Sequence, residues 1–92
     1  MTTDLSRENR LKRLGFRSWH RGTKEADIMI GCFYDRYAAD FSEEQLLWYE
    51  RLMDEEDVEI MGWIIGTIPC PAAYEGPMMD AMRKLDYIDI EK

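Results

Sequence analysis

The sequence is poor in the residues that most catalytic and metal sites need. Its 92 residues contain one histidine, His20, and two cysteines, Cys32 and Cys70. Zinc sites need several such ligands at short spacings, and a nucleophilic triad needs a base held against a serine or cysteine. The run RGT is too short to cradle a phosphate. We therefore expect no catalytic residue and no metal site, and we do not expect an enzyme.

Long apolar runs are also missing. No stretch approaches the roughly 20 apolar residues that cross a bilayer, and no apolar segment follows the basic N-terminal residues as in a secretory signal. Cys32 and Cys70 lack CxxC spacing, and Cys32 lies in an apolar helical run typical of a small buried side chain. These patterns predict a cytoplasmic protein with reduced cysteines and no membrane insertion, with a lone disulfide as the alternative.

Charge is divided unevenly along the chain. Residues 1–24 carry seven basic and two acidic side chains (7 − 2 = +5), and the rest carry five basic and seventeen acidic ones (5 − 17 = −12). Surfaces of opposite sign favour steering to a protein partner, whereas the acidic majority would repel nucleic-acid phosphates. The alternative is that these charges only keep a small domain soluble.

Helix signals follow one another along the chain, and no alternating strand pattern of useful length interrupts them. Thr23 can cap one helix, and Ser42 with Gln45 forms the S-x-x-Q capping box of another. Pro77 suits the first turn of a last helix. The sequence predicts helices over about 5–18, 24–38 and 43–53, a short fourth ending near Gly66, and a fifth after Pro77. The expected fold is all-α: one domain over residues 1–92, a small bundle of about five short helices, with residues 88–92 as a frayed tail.

Spacings of three and four residues predict which side chains face the core. In the second helix they are Ala26, Phe33, Tyr37 and either Met29 or Ile30; in the fourth, Val58, Met61, Trp63 and either Ile64 or Ile65; in the last, Met78, Met82 and Leu85.

The stretch between the first two predicted helices gathers polar residues of the kinds used in active sites. His20, Arg21, Glu25 and Asp27 fall within eight positions. Arg21 and Glu25 could form an i, i+4 pair, and Gly22 could supply a positive φ at a turn. From the residues alone we interpret this stretch as a helix junction rather than a catalytic site.

Its wider surroundings resemble the SdhE family of succinate dehydrogenase assembly factors, known from bacteria and mitochondria. Arg21-Gly22-x-x-Glu25 followed by Asp27 and an aliphatic stretch is similar to the family's RGxxE signature. The run SEEQLLWYERLMDEEDVEIMGWI resembles its middle section, where an acidic turn precedes a tryptophan. The resemblance covers nearly the whole chain. The chain departs from the family at Ala26, at Gly62 and in lacking a proline in the acidic turn.

The resemblance implies a bundle of five helices that binds the flavoprotein subunit of succinate dehydrogenase, or in some bacteria of fumarate reductase. Such proteins promote covalent attachment of FAD to a histidine of that subunit. The implied partner-binding residues are Arg21, Gly22 and Glu25, with Asp27 and His20 bordering them. Arg21 would then contact a partner carboxylate, and Glu25 would orient Arg21 or accept from the partner.

The same resemblance implies a monomeric chaperone without a tightly bound cofactor, because the FAD is attached to the partner. A generic helical interaction module with a different cytosolic partner is the alternative. A small hydrolase using His20 and Glu25 is the least favoured.

Overall fold

Five helices form most of the computed structural model, which describes residues 3–88, with side chains from residue 6 onward. They are α1 (Thr3–Trp19), α2 (Lys24–Tyr37), α3 (Glu43–Leu52), α4 (Asp57–Ile65) and α5 (Pro77–Lys84), with short 3-10 turns at Ala38–Asp40 and Ala72–Tyr74. Residues 3–88 contain no strand, so the predicted all-α bundle of five helices is confirmed. Of the expected frayed tail, residues 89–92 lie outside the described residues, whereas Ile88 is partly buried against the core.

The predicted helix starts are present with their hydrogen bonds. The Thr23 side chain accepts from the Ala26 amide at 3.2 Å. Ser42 accepts from the Gln45 amide at 3.1 Å, and the Gln45 side chain accepts from the Ser42 amide at 2.8 Å. Pro77 begins α5. Because these bonds satisfy orphan amides in the first turns, they fix where α2 and α3 begin.

The core is arranged around Tyr49 of α3, which is fully buried. Its ring lies 6.1 Å from that of Phe33 and 5.4 Å from that of Phe41. Its hydroxyl bonds the buried Ser18 hydroxyl at 2.6 Å. Ser18 also donates to the Leu14 carbonyl, so both buried hydroxyls are satisfied. The Tyr49 hydroxyl lies 3.5 Å from the Ile30 carbonyl oxygen as well, so α1, α2 and α3 meet at this point.

A glycine lets α1 and α2 approach closely. A Cβ added at Gly31 of α2 would lie 2.3 Å from the ring of Trp19, too close for two carbon atoms. The indole nitrogen of Trp19 also donates to Asp35 at 3.2 Å. Trp19 is therefore held across α2, and the chain turns away from α1 immediately after it.

The prediction for α4 was wrong for part of its buried face. Ile60, Trp63 and Ile64 are buried, as expected for the last two, whereas Val58 is 69% and Ile65 is 55% exposed. Because α4 carries apolar residues on both sides, spacing alone does not determine which side faces the core.

The buried residues of α2 and α5 also differ in part from the prediction. Ile30 rather than Met29 is fully buried in α2. In α5, Met79 and Met82 are fully buried, whereas Met78 is only partly buried. The helix ends at Lys84, and Leu85 follows it with a left-handed backbone (φ 53°). The predicted stripe in α5 was therefore displaced by one residue at its start.

The two cysteines do not form a disulfide with each other. Cys32 is buried, Cys70 is partly exposed, and both are free thiols. Within residues 3–88, no helix has both the length and the apolar character needed to cross a membrane.

We expect the fold to lose stability in alkaline solution. Burial, aided by the adjacent Glu55 carboxylate, raises the pKa of Tyr74 to about 12, and burial also raises the pKa of Tyr34, Tyr49 and Tyr87. An unfolded tyrosine ionises near pH ~10. The stability that comes from keeping these buried tyrosines protonated is therefore fully present below that pH. It is lost as the pH rises through the higher pKa values that the tyrosines have in the folded protein. Thermal melts should show Tm falling between pH ~10 and ~12; a constant Tm across this range would contradict the assignment.

Candidate partner-binding corner

Three of the five basic side chains of α1, Arg7, Arg10 and Arg17, bond to α3 or to the chain next to its ends, whereas Lys12 and Arg13 are exposed. Arg10 forms an ion pair with Glu50 at 2.8 Å, and Arg17 forms one with Asp54 at 2.7 Å. Arg7 donates to a main-chain carbonyl just before α3. The Arg10 guanidinium also holds the pKa of the Glu50 carboxyl below its usual value. These three basic side chains thus hold α1 against α3 and the turn after it, so fewer free positive charges remain on α1 to steer a partner.

Arg21 continues this pattern at the corner between α1 and α2. Its Nε donates to Asp57 Oδ1 at 2.7 Å, Nη1 donates to the Met53 carbonyl at 3.1 Å, and Nη2 donates to the Glu55 carbonyl at 3.0 Å. Its side chain is only 8% exposed. All three guanidinium nitrogens have partners within the chain. Arg21 therefore ties the corner to the turn between α3 and α4.

This geometry corrects the expected chemistry of Arg21. Its guanidinium is bonded within the chain, and Asp57 rather than Glu25 is its ion-pair partner. The i, i+4 pairing of Arg21 with Glu25 fails because α1 ends at Trp19 and α2 begins at Lys24. The two residues therefore do not share a helix.

Asp27 closes the corner from the α2 side. Its Oδ1 accepts from the main-chain amide of Arg21 at 2.6 Å. Asp27 is only partly exposed. This carboxylate thus fixes the backbone just before Gly22, and that oxygen is already used inside the fold.

Gly22 and Glu25 are the exposed residues of the signature. Gly22 has φ +122°, and a Cβ there would lie 3.5 Å from Asp57 Oδ2, an ordinary contact distance. Backbone conformation rather than space therefore favours glycine. Glu25 lies in the first turn of α2, where a negative charge is stabilised by the helix dipole. Its carboxylate forms no hydrogen bond or ion pair with the part of the chain that the structure describes.

His20 borders the corner together with a residue that the sequence analysis missed. The His20 ring stacks on that of Phe16, with centroids 4.0 Å apart, and His20 Nδ1 lies 2.8 Å from the Phe16 carbonyl oxygen. Phe16 is 65% exposed. Its position off the apolar stripe of Leu11 and Leu14 is the sequence signal that could have identified it.

The corner therefore combines a rigid backbone with a polar, partly aromatic surface. The exposed ring of Phe16 is of a kind that is enriched at protein–protein interfaces. Among the side chains of residues 6–88, no group of three or more His, Cys, Asp or Glu could hold a metal ion.

Replacing Arg21 should cost much more stability than replacing Arg17. Arg21→Ala leaves Asp57 without its ion-pair partner and the Glu55 carbonyl without its side-chain donor, whereas the Met53 carbonyl still accepts from Arg17, and we expect a loss of about 3 kcal/mol in the free energy of unfolding. The Arg17 pair is more exposed, so Arg17→Ala should cost about 1 kcal/mol or less. Urea unfolding of both variants measures the difference. Equal losses would show that the buried guanidinium does not hold the corner.

Comparisons with known proteins agree with the resemblance drawn from the sequence. Residues 12–86 match a family model described as flavinator of succinate dehydrogenase. The chain is 38% identical over 73 residues to the FAD assembly factor SdhE of Acetobacter pasteurianus, an alignment that covers 79% of this chain and 67% of that protein.

Mitochondrial proteins named succinate dehydrogenase assembly factor 2 also match. Identity is 37% over 75 residues with that of Danio rerio, covering 79% of this chain and 48% of the relative. It is 32% over 82 residues with that of Yarrowia lipolytica, covering 85% and 57%. The chain thus spans about half the length of these mitochondrial relatives. No solved structure gives a significant match. The family model, which spans most of the chain, shows that this protein belongs to the SdhE family of flavinylation factors.

Proposed function

We propose that this protein binds the flavoprotein subunit of succinate dehydrogenase and promotes covalent attachment of FAD to it. The observation that carries the proposal is the corner itself. Gly22 and Glu25 are open to a partner, while Arg21 beneath them is fixed by bonds within the chain. The family and its relatives are named for flavinylation and for assembly of succinate dehydrogenase, which supports this partner.

Each corner residue then has a distinct part in binding. A partner main chain can approach Gly22 closely because no side chain stands in the way. Glu25 accepts hydrogen bonds from the partner, and His20 contributes the edge of an exposed aromatic pair. Arg21 and Asp27 act indirectly, because their bonds hold the corner in one conformation. A preformed surface loses little conformational freedom on binding, so ordering it costs little of the binding free energy.

On this proposal the chain contributes binding rather than catalysis. The flavin bond forms within the partner, the FAD remains there, and the chain holds no cofactor tightly. Its contribution is to hold the flavoprotein in the arrangement that attaches its own flavin. We propose that it acts as a monomer in the cytoplasm, and that the flavoprotein of fumarate reductase is a second client of the same surface.

Two glutamates in equivalent helix positions allow a matched test. Glu25 and Glu44 are both exposed, and each is the second residue of its helix, α2 and α3 respectively. Either change to glutamine therefore removes the same charge from a helix N-terminus. Only Glu25 lies at the corner.

The assay mixes apo flavoprotein subunit, FAD and a dicarboxylate with wild-type protein, Glu25→Gln or Glu44→Gln, and follows covalent flavin by fluorescence on a denaturing gel. Wild type and Glu44→Gln should accelerate flavinylation. Glu25→Gln should bind the flavoprotein roughly tenfold or more weakly, the range expected for losing a hydrogen bond to a charged group. Its acceleration should be lost at protein concentrations near the wild-type Kd.

Two results would contradict the proposal. If wild-type protein neither binds the flavoprotein nor changes the rate, the chain is not its assembly factor. Capture of a different cytosolic protein would then favour a general interaction module. If Glu25→Gln and Glu44→Gln behave alike, the corner is not the binding surface.

A further inference from the structure

Helix α4 presents apolar side chains on two opposite sides. One side is buried in the core and carries Ile60, Trp63 and Ile64. The other side carries Val58, Met61 and Ile65, which stand at i, i+3 and i+7 and therefore share one stripe. We call this stripe the outer face of α4. Asp57 and Glu59 in the first turn are the only charged residues of α4, and a helix that is otherwise apolar on all sides is normally covered.

The outer face of α4 is open in this structure. Val58 is 69% and Ile65 is 55% exposed, and Met61 is partly buried. Single exposed apolar residues are ordinary on protein surfaces. Among residues 6–88, however, four large apolar residues are exposed, and two of them, Val58 and Ile65, stand on the same stripe of a nine-residue helix. The stripe therefore differs from apolar residues that are exposed singly over a protein surface.

The outer face begins beside the corner. α4 starts at Asp57, which bonds Arg21 at 2.7 Å and lies 3.5 Å from where a Gly22 Cβ would stand. Val58 is the next residue. At 1.5 Å per residue the stripe from Val58 to Ile65 extends about 10 Å along the helix. A protein surface large enough to cover the corner would reach along this length as well, since stable interfaces bury about 800 Å² on each partner.

Charge at one end of the stripe indicates what kind of surface fits it. Glu56 occupies the N-cap position of α4 and Glu59 lies in its first turn, beside Val58 in sequence, and neither forms an ion pair with another described residue. An apolar patch with basic side chains at the end that meets this acidic turn would therefore complement it.

We propose that the outer face of α4 is a second contact for the flavoprotein subunit that the corner binds. The contact is apolar, and it meets an apolar patch of the flavoprotein that has basic residues at the end facing the acidic first turn of α4. This inference rests on the proposed function, and it adds a surface that the RGxxE signature does not include.

Substitutions at the two ends of the stripe can introduce charge without opposing the helix dipole. Val58→Asp places a negative charge in the first turn of α4, and Ile65→Lys places a positive charge in its last turn. Because the two charges have opposite signs, an electrostatic effect would make the variants differ, whereas loss of apolar burial would weaken both.

Leu47 supplies the matched control. It is 49% exposed and lies on the face of α3 that carries Glu43 and Glu50, which Arg10 bridges from α1. Leu47→Asp and Leu47→Lys therefore repeat both chemical changes away from α4.

The Kd for the apo flavoprotein subunit is measured for wild type, for each of these variants and for Glu25→Gln. Circular-dichroism melts confirm that each variant is folded. Val58→Asp and Ile65→Lys should each bind at least tenfold more weakly than wild type, with both Leu47 variants within about twofold. If a charged variant melts early, Val58→Ala and Ile65→Ala replace it and should show a smaller loss in the same direction.

The outcomes separate this inference from the function on which it rests. If wild type binds and only Glu25→Gln loses affinity, the corner is confirmed and the outer face is not a contact. If wild type does not bind the flavoprotein, both proposals fail. Concentration-dependent dimerisation of wild type that Val58→Asp abolishes would overturn the inference in favour of a second copy of this chain.

Discussion

The fold near the candidate site depends on one guanidinium group. Arg21 stands after the end of α1, yet its bonds reach Asp57 and the carbonyls of Met53 and Glu55 at the turn between α3 and α4. A lysine could not bond all three acceptors at once, because its single ammonium lacks the planar fork of donors. The corner between the first two helices and the start of the fourth are consequently fixed relative to each other.

This constraint divides the signature into two groups of residues. The polar groups of Arg21 and Asp27 form hydrogen bonds within the chain, whereas Gly22 and Glu25 are exposed. In this structure Arg21 and Asp27 therefore shape the backbone of the corner, and Gly22 and Glu25 lie on its exposed surface. The exposed Phe16 extends that surface along α1, which gives the polar corner an aromatic border.

Local signals in the sequence predicted the fold well, and tertiary contacts account for what it missed. Thr23, Ser42 and Pro77 mark helix starts through bonds within one turn, so neighbouring residues suffice to find them. The corner was located for the same reason, as a junction with a glycine. The partner of Arg21 lies 36 residues away, and no local pattern indicates it. Val58 was misplaced because helical periodicity identifies a stripe but not the element that covers it.

Photo-crosslinking from the corner tests the central claim most directly. A benzoylphenylalanine placed at position 25, and in a separate protein at position 44, would be irradiated with apo flavoprotein subunit. We expect a covalent adduct with the flavoprotein from position 25 and none from position 44, with the attachment point located by mass spectrometry. Equal adducts from both positions, or adducts from position 44 alone, would show that the flavoprotein does not bind at the corner that Arg21 holds.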